Sequence, residues 1–243
     1  MPEGPSIVLL KEAVIQFTGK KIIGVRGNTK VDKERLLDQK LISFKSWGKH
    51  FLMCFKGFYV RVHFLMFGSY MIDDKKDRPE RLSLVFKNGE INFYTCSVKI
   101  MEGTVEDDYD FSTDVMQDEW DDVKARKKLK LVPDKLVCDA LLEQDIFSGV
   151  GNIIKNEVLY RVKVHPESEI KKIPAAKIKQ ITAEARIYSF QFLEWKRVYQ
   201  LKKHWLAHTK KICLRCDLLL IKKHTGVKKR RSFFCNKCQK LYV

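Results

Sequence analysis

The chain has 243 residues, 45% of them hydrophobic, and a formal net charge of +17. This length allows one large domain or two of moderate size, and this apolar content excludes a globally disordered chain. No apolar run approaches the roughly 18 residues of a transmembrane helix. The N-terminal segment MPEGPSIVLLKEAV lacks the basic region that opens a signal peptide. We therefore expect neither a membrane span nor a signal peptide.

The charges are segregated along the chain. Between Glu102 and Asp122 there are ten acidic residues and no basic one. From Lys202 to the end there are thirteen lysines and arginines and one acid, Asp217. Such segregation favours a polyanionic partner such as nucleic acid, although a large positive charge by itself also serves solubility.

The predicted elements change in character along the chain. A helix is predicted over Ser6–Phe17, where apolar residues share one face, with Pro5 at its start. Residues 20–101 predict β-strands rich in β-branched and aromatic residues, with hairpin turns at Gly57 and at Asn88-Gly89. The acidic stretch is a natural boundary, and the apolar spacing after it predicts helices over residues 135–144, 151–162 and 175–201.

Seven cysteines occur, and four of them form two CxxC pairs separated by eighteen residues. This spacing predicts a structural zinc site in which four thiolates fill a tetrahedral shell, with a redox dithiol as the alternative. The segment between the pairs predicts a strand, a turn at Thr225-Gly226 and a second strand, hence a zinc-stapled hairpin. The remaining cysteines, Cys54, Cys96 and Cys138, are expected to be ordinary buried thiols. The predicted ligands are Cys213, Cys216, Cys235 and Cys238.

Six cations lie on this predicted hairpin. On a unit so small they favour contact with DNA over a merely solvated face. The six are Lys222, Lys223, Lys228, Lys229, Arg230 and Arg231.

The N-terminus offers a second kind of chemistry. Removal of Met1 would expose the secondary amine of Pro2, and a free α-amine has a pKa near 8, so that a useful fraction is neutral near neutral pH. A neutral amine can attack a sugar C1′ and form an iminium, while the adjacent Glu3 can donate a proton. Many proteins begin Met-Pro, so this pair alone does not identify an enzyme.

Four segments, in order, resemble the formamidopyrimidine-DNA glycosylase and endonuclease VIII family of DNA repair enzymes. MPEGPSI resembles that family's MPEGPE start, and SWGKHFL at 46–52 resembles its lysine loop. Residues 141–168 resemble its helix-two-turns-helix segment, and RRSFFC at 230–235 with the CxxC pairs resembles its zinc finger. The resemblance extends from Pro2 to Cys238.

The resemblance implies an α+β multi-domain fold with DNA in the cleft between two main parts. The first is an N-terminal β-sandwich with a helix, predicted over residues 1–113. The second is a helical helix-two-turns-helix domain over 114–205, carrying a zinc β-hairpin finger over 206–243.

The resemblance also implies roles for individual residues. Pro2 is the nucleophile and Glu3 the general acid, and Lys49 contacts the phosphate beside the lesion and supports catalysis. Without the resemblance, Lys49 would be interpreted as a surface lysine of a hairpin. DNA-backbone contacts are expected from a helix N-terminus after a glycine-rich turn and from the zinc finger. These contacts are Asn152, Lys155, Arg230 and Arg231.

A base buried in a duplex must be flipped out to reach Pro2. The run HFLMFG at 63–68 resembles the family's wedge loop, and apolar wedges hold DNA open. Leu65, Met66 and Phe67 are the predicted void-filling residues, with Met66 preferred. The alternative is that each belongs to a strand core.

The segment FYTCSVKIM at 93–101 resembles the endonuclease VIII branch, since the Arg-Arg-Phe-Gly element of the purine-directed branch is missing. Oxidised pyrimidines are therefore the expected substrates. Ser6 departs from the family, which has an acid at this position, and this puts the efficiency of base excision in doubt.

The predicted function is base-excision repair by a DNA glycosylase with AP lyase activity through β,δ-elimination. The alternatives are a catalytically impaired damaged-DNA-binding protein of the same fold and an RNA-binding module. We expect a monomer with one structural Zn²⁺ and damaged DNA, double- or single-stranded, as its partner. Its location would be wherever the DNA is: the cytoplasm and nucleoid of a bacterium, or a eukaryotic nucleus.

Overall fold

A computed structural model describes residues 2–243, so Met1, whose removal is expected, lies outside the described residues. The chain divides between Tyr109 and Asp110 into two compact units. This division lies four residues before the predicted one at 113/114. Among the described residues, no helix is long and apolar enough to cross a membrane.

The N-terminal unit begins with helix α1 (Gly4–Ala13), followed by a 3₁₀ turn at Ile15–Phe17. The helix thus begins two residues before the predicted start at Ser6, and the end of the predicted range is a 3₁₀ turn. Its predicted apolar face is confirmed, because all four residues are buried in the core of this unit. They are Ile7, Leu10, Val14 and Phe17.

Six antiparallel strands form one sheet in the order β1-β5-β6-β4-β3-β2. The predicted turn at Gly57, which has φ of +79°, is confirmed between β3 and β4, and the turn before Gly89 is confirmed between β5 and β6. The strands are β1 (Ile22–Arg26), β2 (Ser43–Trp47), β3 (His50–Cys54), β4 (Phe58–Ile72), β5 (Leu82–Phe86) and β6 (Gly89–Glu102).

The sheet forms a β-sandwich because β4 and β6 are long enough to belong to both layers. The start of β4 pairs with β3, whereas the start of β6 pairs with β5, and the β4–β6 register breaks between Phe64 and Ser69. Aromatic side chains fill the space between the layers. The Phe93 ring lies 6.0 Å from that of Phe51 and 6.2 Å from that of Phe64. The predicted sandwich with its helix is thus confirmed.

The C-terminal unit is mainly helical. Its helices are α3 (Asp122–Lys130), α4 (Val137–Ala140), α5 (Asn152–Arg161) and α6 (Ala175–Arg197), while the short α2 (Val105–Asp108) closes the N-terminal unit. The predicted helix over 135–144 is wrong beyond the single turn of α4, because the chain turns again at once toward α5. Helix α3 was not predicted. It begins after Asp121, whose side-chain carboxylate accepts hydrogen bonds from the backbone amides of Val123 and Lys124.

The zinc-finger hairpin consists of β7 (Ile221–Thr225) and β8 (Arg230–Phe234), which confirms the predicted turn after Thr225. A small cluster of buried residues supports it. The cluster includes Tyr160, Ala207, Cys213, Leu220, Phe233 and Cys235.

The acidic stretch between residues 102 and 122 has a structural use. Glu102 forms an ion pair with Arg35, Asp107 completes a capping box with Thr104, and Asp110 pairs with Lys124. Several of these acids therefore serve as caps and ion-pair partners around the point where the two units divide.

Candidate active site and nucleic-acid interface

The predicted catalytic pair lies at the start of α1. Glu3 is the N-cap residue of this helix, its carbonyl accepts from the amide of Ser6 at 2.8 Å, and its side chain has no exposed surface. Pro2, immediately before it, is partly exposed. A buried carboxyl group thus stands one residue from a proline that solvent and ligands can reach.

Ser6 occupies the first turn of α1 and is partly exposed. Its hydroxyl is a weaker proton carrier than the acid that the family has at this position.

Lys49 lies in the two-residue turn that joins β2 to β3, next to Gly48, which has φ of +55°. Beneath this turn is a cluster of rings that sequence reasoning missed. His50 packs against the rings of Trp47, His63 and Tyr109, and its Nδ1 lies 3.2 Å from the Tyr109 hydroxyl. The period-two pattern of β3 and β4 was the available signal, since it places His50 directly across from His63.

Both histidines are held neutral. Burial lowers the pKa of His50 to about 3, with further contributions from His63, Arg61 and Lys49. Burial also lowers the pKa of His63, helped by Lys49 and Arg61. The positive charge near this turn therefore comes from Lys49 and Arg61 and not from the imidazoles.

The predicted wedge residues form an irregular bulge in β4. Leu65, Met66, Phe67 and Gly68 lie between the paired residues Phe64 and Ser69, opposite Thr95, which has φ of +50°. The side chains of Leu65, Met66 and Phe67 are 48%, 53% and 76% exposed. Three consecutive exposed apolar side chains are thus available to an outside partner, and their role as a wedge stays a prediction.

In the C-terminal unit the glycine-rich turn ends at Gly151, the N-cap residue of α5. Gly149 in this turn has φ of +93°. The N-cap residue has no side chain to cap the helix, and the dipole at a helix N-terminus favours a negatively charged group.

Asn152 and Lys155, predicted to contact DNA, both reach strand β8. The side-chain amide of Asn152 donates a hydrogen bond to the backbone carbonyl of Arg231 at 2.9 Å. The Lys155 ammonium donates to the Ser232 hydroxyl at 2.6 Å and to the Arg231 carbonyl at 3.3 Å, and its side chain is fully buried. These bonds fix the strand that carries the exposed Arg230 and Arg231. Direct contact of any of these residues with DNA stays a prediction.

The four predicted zinc ligands come together. Their sulfur atoms lie within 4.8 Å of one another, and those of Cys213 and Cys238 are 3.7 Å apart. Ligands of a tetrahedral zinc ion at the usual Zn–S length would be about 3.8 Å apart. The cluster is therefore consistent with one structural Zn²⁺, for which the two CxxC turns supply all four ligands.

Arg215, inside the first CxxC turn, ties this cluster to α5. Its guanidinium stacks over the Tyr160 ring at 3.8 Å and donates to the Tyr160 carbonyl at 2.7 Å. The Tyr160 hydroxyl in turn lies 3.3 Å from Cys213 Sγ. The metal site and the helix that follows the glycine-rich turn thus form one connected structure.

Asp139 in α4 was also missed from the sequence. Its buried carboxylate accepts from the amides of Val227 at 2.7 Å and Lys228 at 3.2 Å, and so holds the tip of the β7–β8 hairpin. No local pattern could reveal this contact, because the partners are about ninety residues apart.

Two family profiles match the chain. That of the formamidopyrimidine-DNA glycosylase N-terminal domain matches residues 1–97, and that of the formamidopyrimidine-DNA glycosylase H2TH domain matches residues 112–188. This chain belongs to the formamidopyrimidine-DNA glycosylase and endonuclease VIII family.

Relatives from both branches of this family are similar at low identity. Endonuclease 8-like 3 of Bos taurus is 28% identical over 202 residues, which cover 79% of this chain and 33% of the relative. The chain therefore spans about a third of that relative's length. Formamidopyrimidine-DNA glycosylase of Lactobacillus helveticus is 27% identical over 282 residues, covering all of both chains.

The fold of this family member is shared with a solved glycosylase. Formamidopyrimidine-DNA glycosylase of Lactococcus lactis, noncovalently bound to DNA containing an AP site, superposes with a TM-score of 0.86 at 20% identity. The match covers 98% of this chain and 99% of that one. At this identity the likeness concerns the fold alone.

Proposed function

We propose that this protein is a base-excision repair DNA glycosylase with AP lyase activity that acts on oxidised bases, with pyrimidines preferred. The observation that carries the proposal is the pair at the start of α1, where a partly exposed Pro2 precedes a fully buried Glu3. Membership of a DNA glycosylase family supports it.

The proposed reaction uses these two residues in sequence. Once Met1 is removed, the neutral amine of Pro2 attacks C1′ of the damaged nucleotide, and the C1′–base bond breaks as Glu3 supplies a proton. The Pro2 nitrogen then returns a proton to Glu3, and this proton passes to O4′ as the C1′–O4′ bond breaks, which leaves an iminium between Pro2 and the open sugar. Proton removal from C2′ then expels the 3′ phosphate by β-elimination, and δ-elimination expels the 5′ phosphate.

The remaining residues would bind the DNA backbone. Lys49 on its hairpin turn, the N-terminus of α5 and the exposed Arg230 and Arg231 are the proposed phosphate contacts. Asn152 and Lys155 support them by fixing β8. The exposed Leu65, Met66 and Phe67 would fill the space left by the flipped nucleotide.

Borohydride trapping tests the mechanism. Wild-type protein, with removal of Met1 checked by intact mass, is incubated with DNA containing thymine glycol or an abasic site and then reduced. We expect a covalent adduct at residue 2 of the wild type, and a large loss of base excision with both Pro2→Gly and Glu3→Gln. The abasic substrate should still trap Glu3→Gln to some extent, because its base is already gone.

A short N-terminal extension is the matched control, since it blocks the amine while leaving the zinc finger intact. It should abolish trapping and spare DNA binding. Tight binding by the wild type without an adduct on either substrate would contradict the proposal. That result would favour an impaired damaged-DNA-binding protein, and Ser6→Glu would then be the first variant to assay for restored excision.

Met66→Ala tests the wedge. A flipped nucleotide leaves a gap in the base stack only when the DNA is a duplex. Excision from duplex DNA should therefore fall about tenfold or more, while excision from single-stranded DNA should change little. Ile42→Ala, which removes another exposed apolar side chain of the same unit, should change neither rate. Equal losses on both substrates would contradict the wedge role.

The lesion preference needs a panel of oligonucleotides. Thymine glycol and 5-hydroxyuracil should be excised faster than 8-oxoguanine under single-turnover conditions. The fold does not decide this point, because the Lactococcus lactis enzyme has also been crystallised with DNA containing an oxidised pyrimidine. Fastest excision of 8-oxoguanine would overturn the predicted preference.

A further inference from the structure

The C-terminal unit has a groove that the proposed function does not use. It lies between α3, the 3₁₀ turn at Ile170–Lys172 and the start of α6, and its volume is about 600 Å³. Seven of its eleven lining residues are apolar, and none of the eleven is a proposed catalytic, DNA-binding or zinc residue. Leu129, Ile170 and Ile173 are buried at its floor.

The rim of this groove is cationic. Arg126 pairs with Asp122, and Lys171 pairs with Asp134 and Glu169. Lys127 and Lys130 are exposed, and the ion pairs among the described residues include neither of them. Two lysines at the edge of an apolar groove are therefore open to an outside carboxylate.

The start of α6 adds to this positive character. Ala175, the first residue of this 23-residue helix, lines the groove, and no side chain caps the helix. The amides of its first turn and the helix dipole favour a negative group at this end. The cations and the N-terminus of α6 thus both favour a negatively charged ligand.

The lining distinguishes a peptide from a nucleic acid. Single-stranded nucleic acid is bound on aromatic platforms, but none of the lining residues is aromatic. An apolar floor with a cationic rim is complementary to an amphipathic peptide whose apolar side chains fill the groove while its carboxylates meet the rim. We propose that this groove docks a short acidic, amphipathic segment of a partner protein.

The test uses a random peptide library displayed on phage. It is selected on the wild-type protein and counter-selected on the double variant Lys127→Glu, Lys130→Glu. The enriched peptides should combine acidic residues with apolar ones. A dye-labelled enriched peptide should bind the wild type with an affinity at least about tenfold higher than that of the double variant, which is about 1.4 kcal/mol.

Two further variants separate the groove from general electrostatics. Ala175→Phe fills the groove without changing any charge and should weaken the peptide about tenfold. Lys56→Glu with Lys87→Glu makes the same charge change on exposed hairpin turns of the N-terminal unit and should change the affinity by less than about twofold. Thermal unfolding and zinc content confirm that each variant is folded.

Several results would overturn the proposal. One is a selection that enriches no peptide on the wild type over the double variant, and another is enrichment of peptides without net negative charge. A third is an equal loss of peptide affinity in the control variant Lys56→Glu with Lys87→Glu. A further contradicting result is a loss of duplex DNA affinity in both the double variant and Ala175→Phe, with no peptide selected. That result would assign the groove to nucleic acid.

Discussion

Gly226 shows how a single residue constrains the zinc-finger hairpin. Its φ is +68°, a backbone conformation that residues with a side chain rarely adopt, and a Cβ there would lie 2.3 Å from an Asp139 carboxylate oxygen. The same carboxylate accepts from the next two amides along the chain. Both the backbone conformation and the space at this turn therefore require glycine.

Gly226→Ala should consequently lower the free energy of unfolding of the C-terminal unit by about 2 kcal/mol or more, combining strain with a steric clash. Gly57→Ala is the matched control, because Gly57 has φ of +79° but nothing within 4 Å of its Cβ position. It should show the strain alone, about 1 kcal/mol. Denaturant titration measures both, and equal losses would show that the Asp139 contact contributes nothing.

Among the elements, the β7–β8 hairpin depends most on bonds outside itself. Two short strands alone are marginal in water, and this pair is held by the cysteine cluster at one end and by Asp139 at the other. In its middle, Lys155 and Asn152 bind β8. Metal binding and the position of Arg230 and Arg231 are therefore coupled.

The protein should contain one zinc ion per chain by elemental analysis, and Cys235→Ser should lose it together with most of the affinity for DNA. The reason is that three thiolates leave the shell incomplete and free the strand that carries the arginines. Cys138→Ser changes a buried cysteine outside the cluster and should retain the metal. Full DNA affinity in a zinc-free protein would contradict the coupling.

At the scale of the whole molecule, buried histidines make stability depend on pH. Burial lowers the pKa of His50 to about 3 in the N-terminal unit and that of His208 to about 4 in the C-terminal unit. An unfolded chain binds protons at these groups near pH 6.5, whereas the folded chain does not. The contribution of these neutral histidines to the free energy of unfolding is therefore fully present above about pH 6.5 and is lost as the pH falls.

The free energy of unfolding should fall between about pH 6.5 and 4.5, by up to about 1.4 kcal/mol per pH unit for each such group. His50→Gln should reduce that slope, whereas His224→Gln, at an exposed position of β7, should leave it unchanged. Urea unfolding across this range measures the slope. A slope unchanged in His50→Gln would show that His50 does not carry the dependence.

The sequence by itself determined what short-range patterns encode. The CxxC spacing specified the four sulfur atoms that meet, the strand-rich half and helix-rich half were separated correctly, and the hairpin turns were placed by their glycines. The family followed from segments such as MPEGPSI, which lies within the N-terminal domain profile that matches residues 1–97. Each of these features depends on residues close together in the chain.

Only the tertiary structure decided which long-range partners each residue meets. It buried Lys155 against Ser232, placed Asp139 beneath the finger and packed His50 against Tyr109. It also reduced the predicted helix over 135–144 to one turn, since packing overrides local apolar spacing. The physical reason is common to all of them: burial and hydrogen bonding between distant segments leave no periodic trace in the sequence.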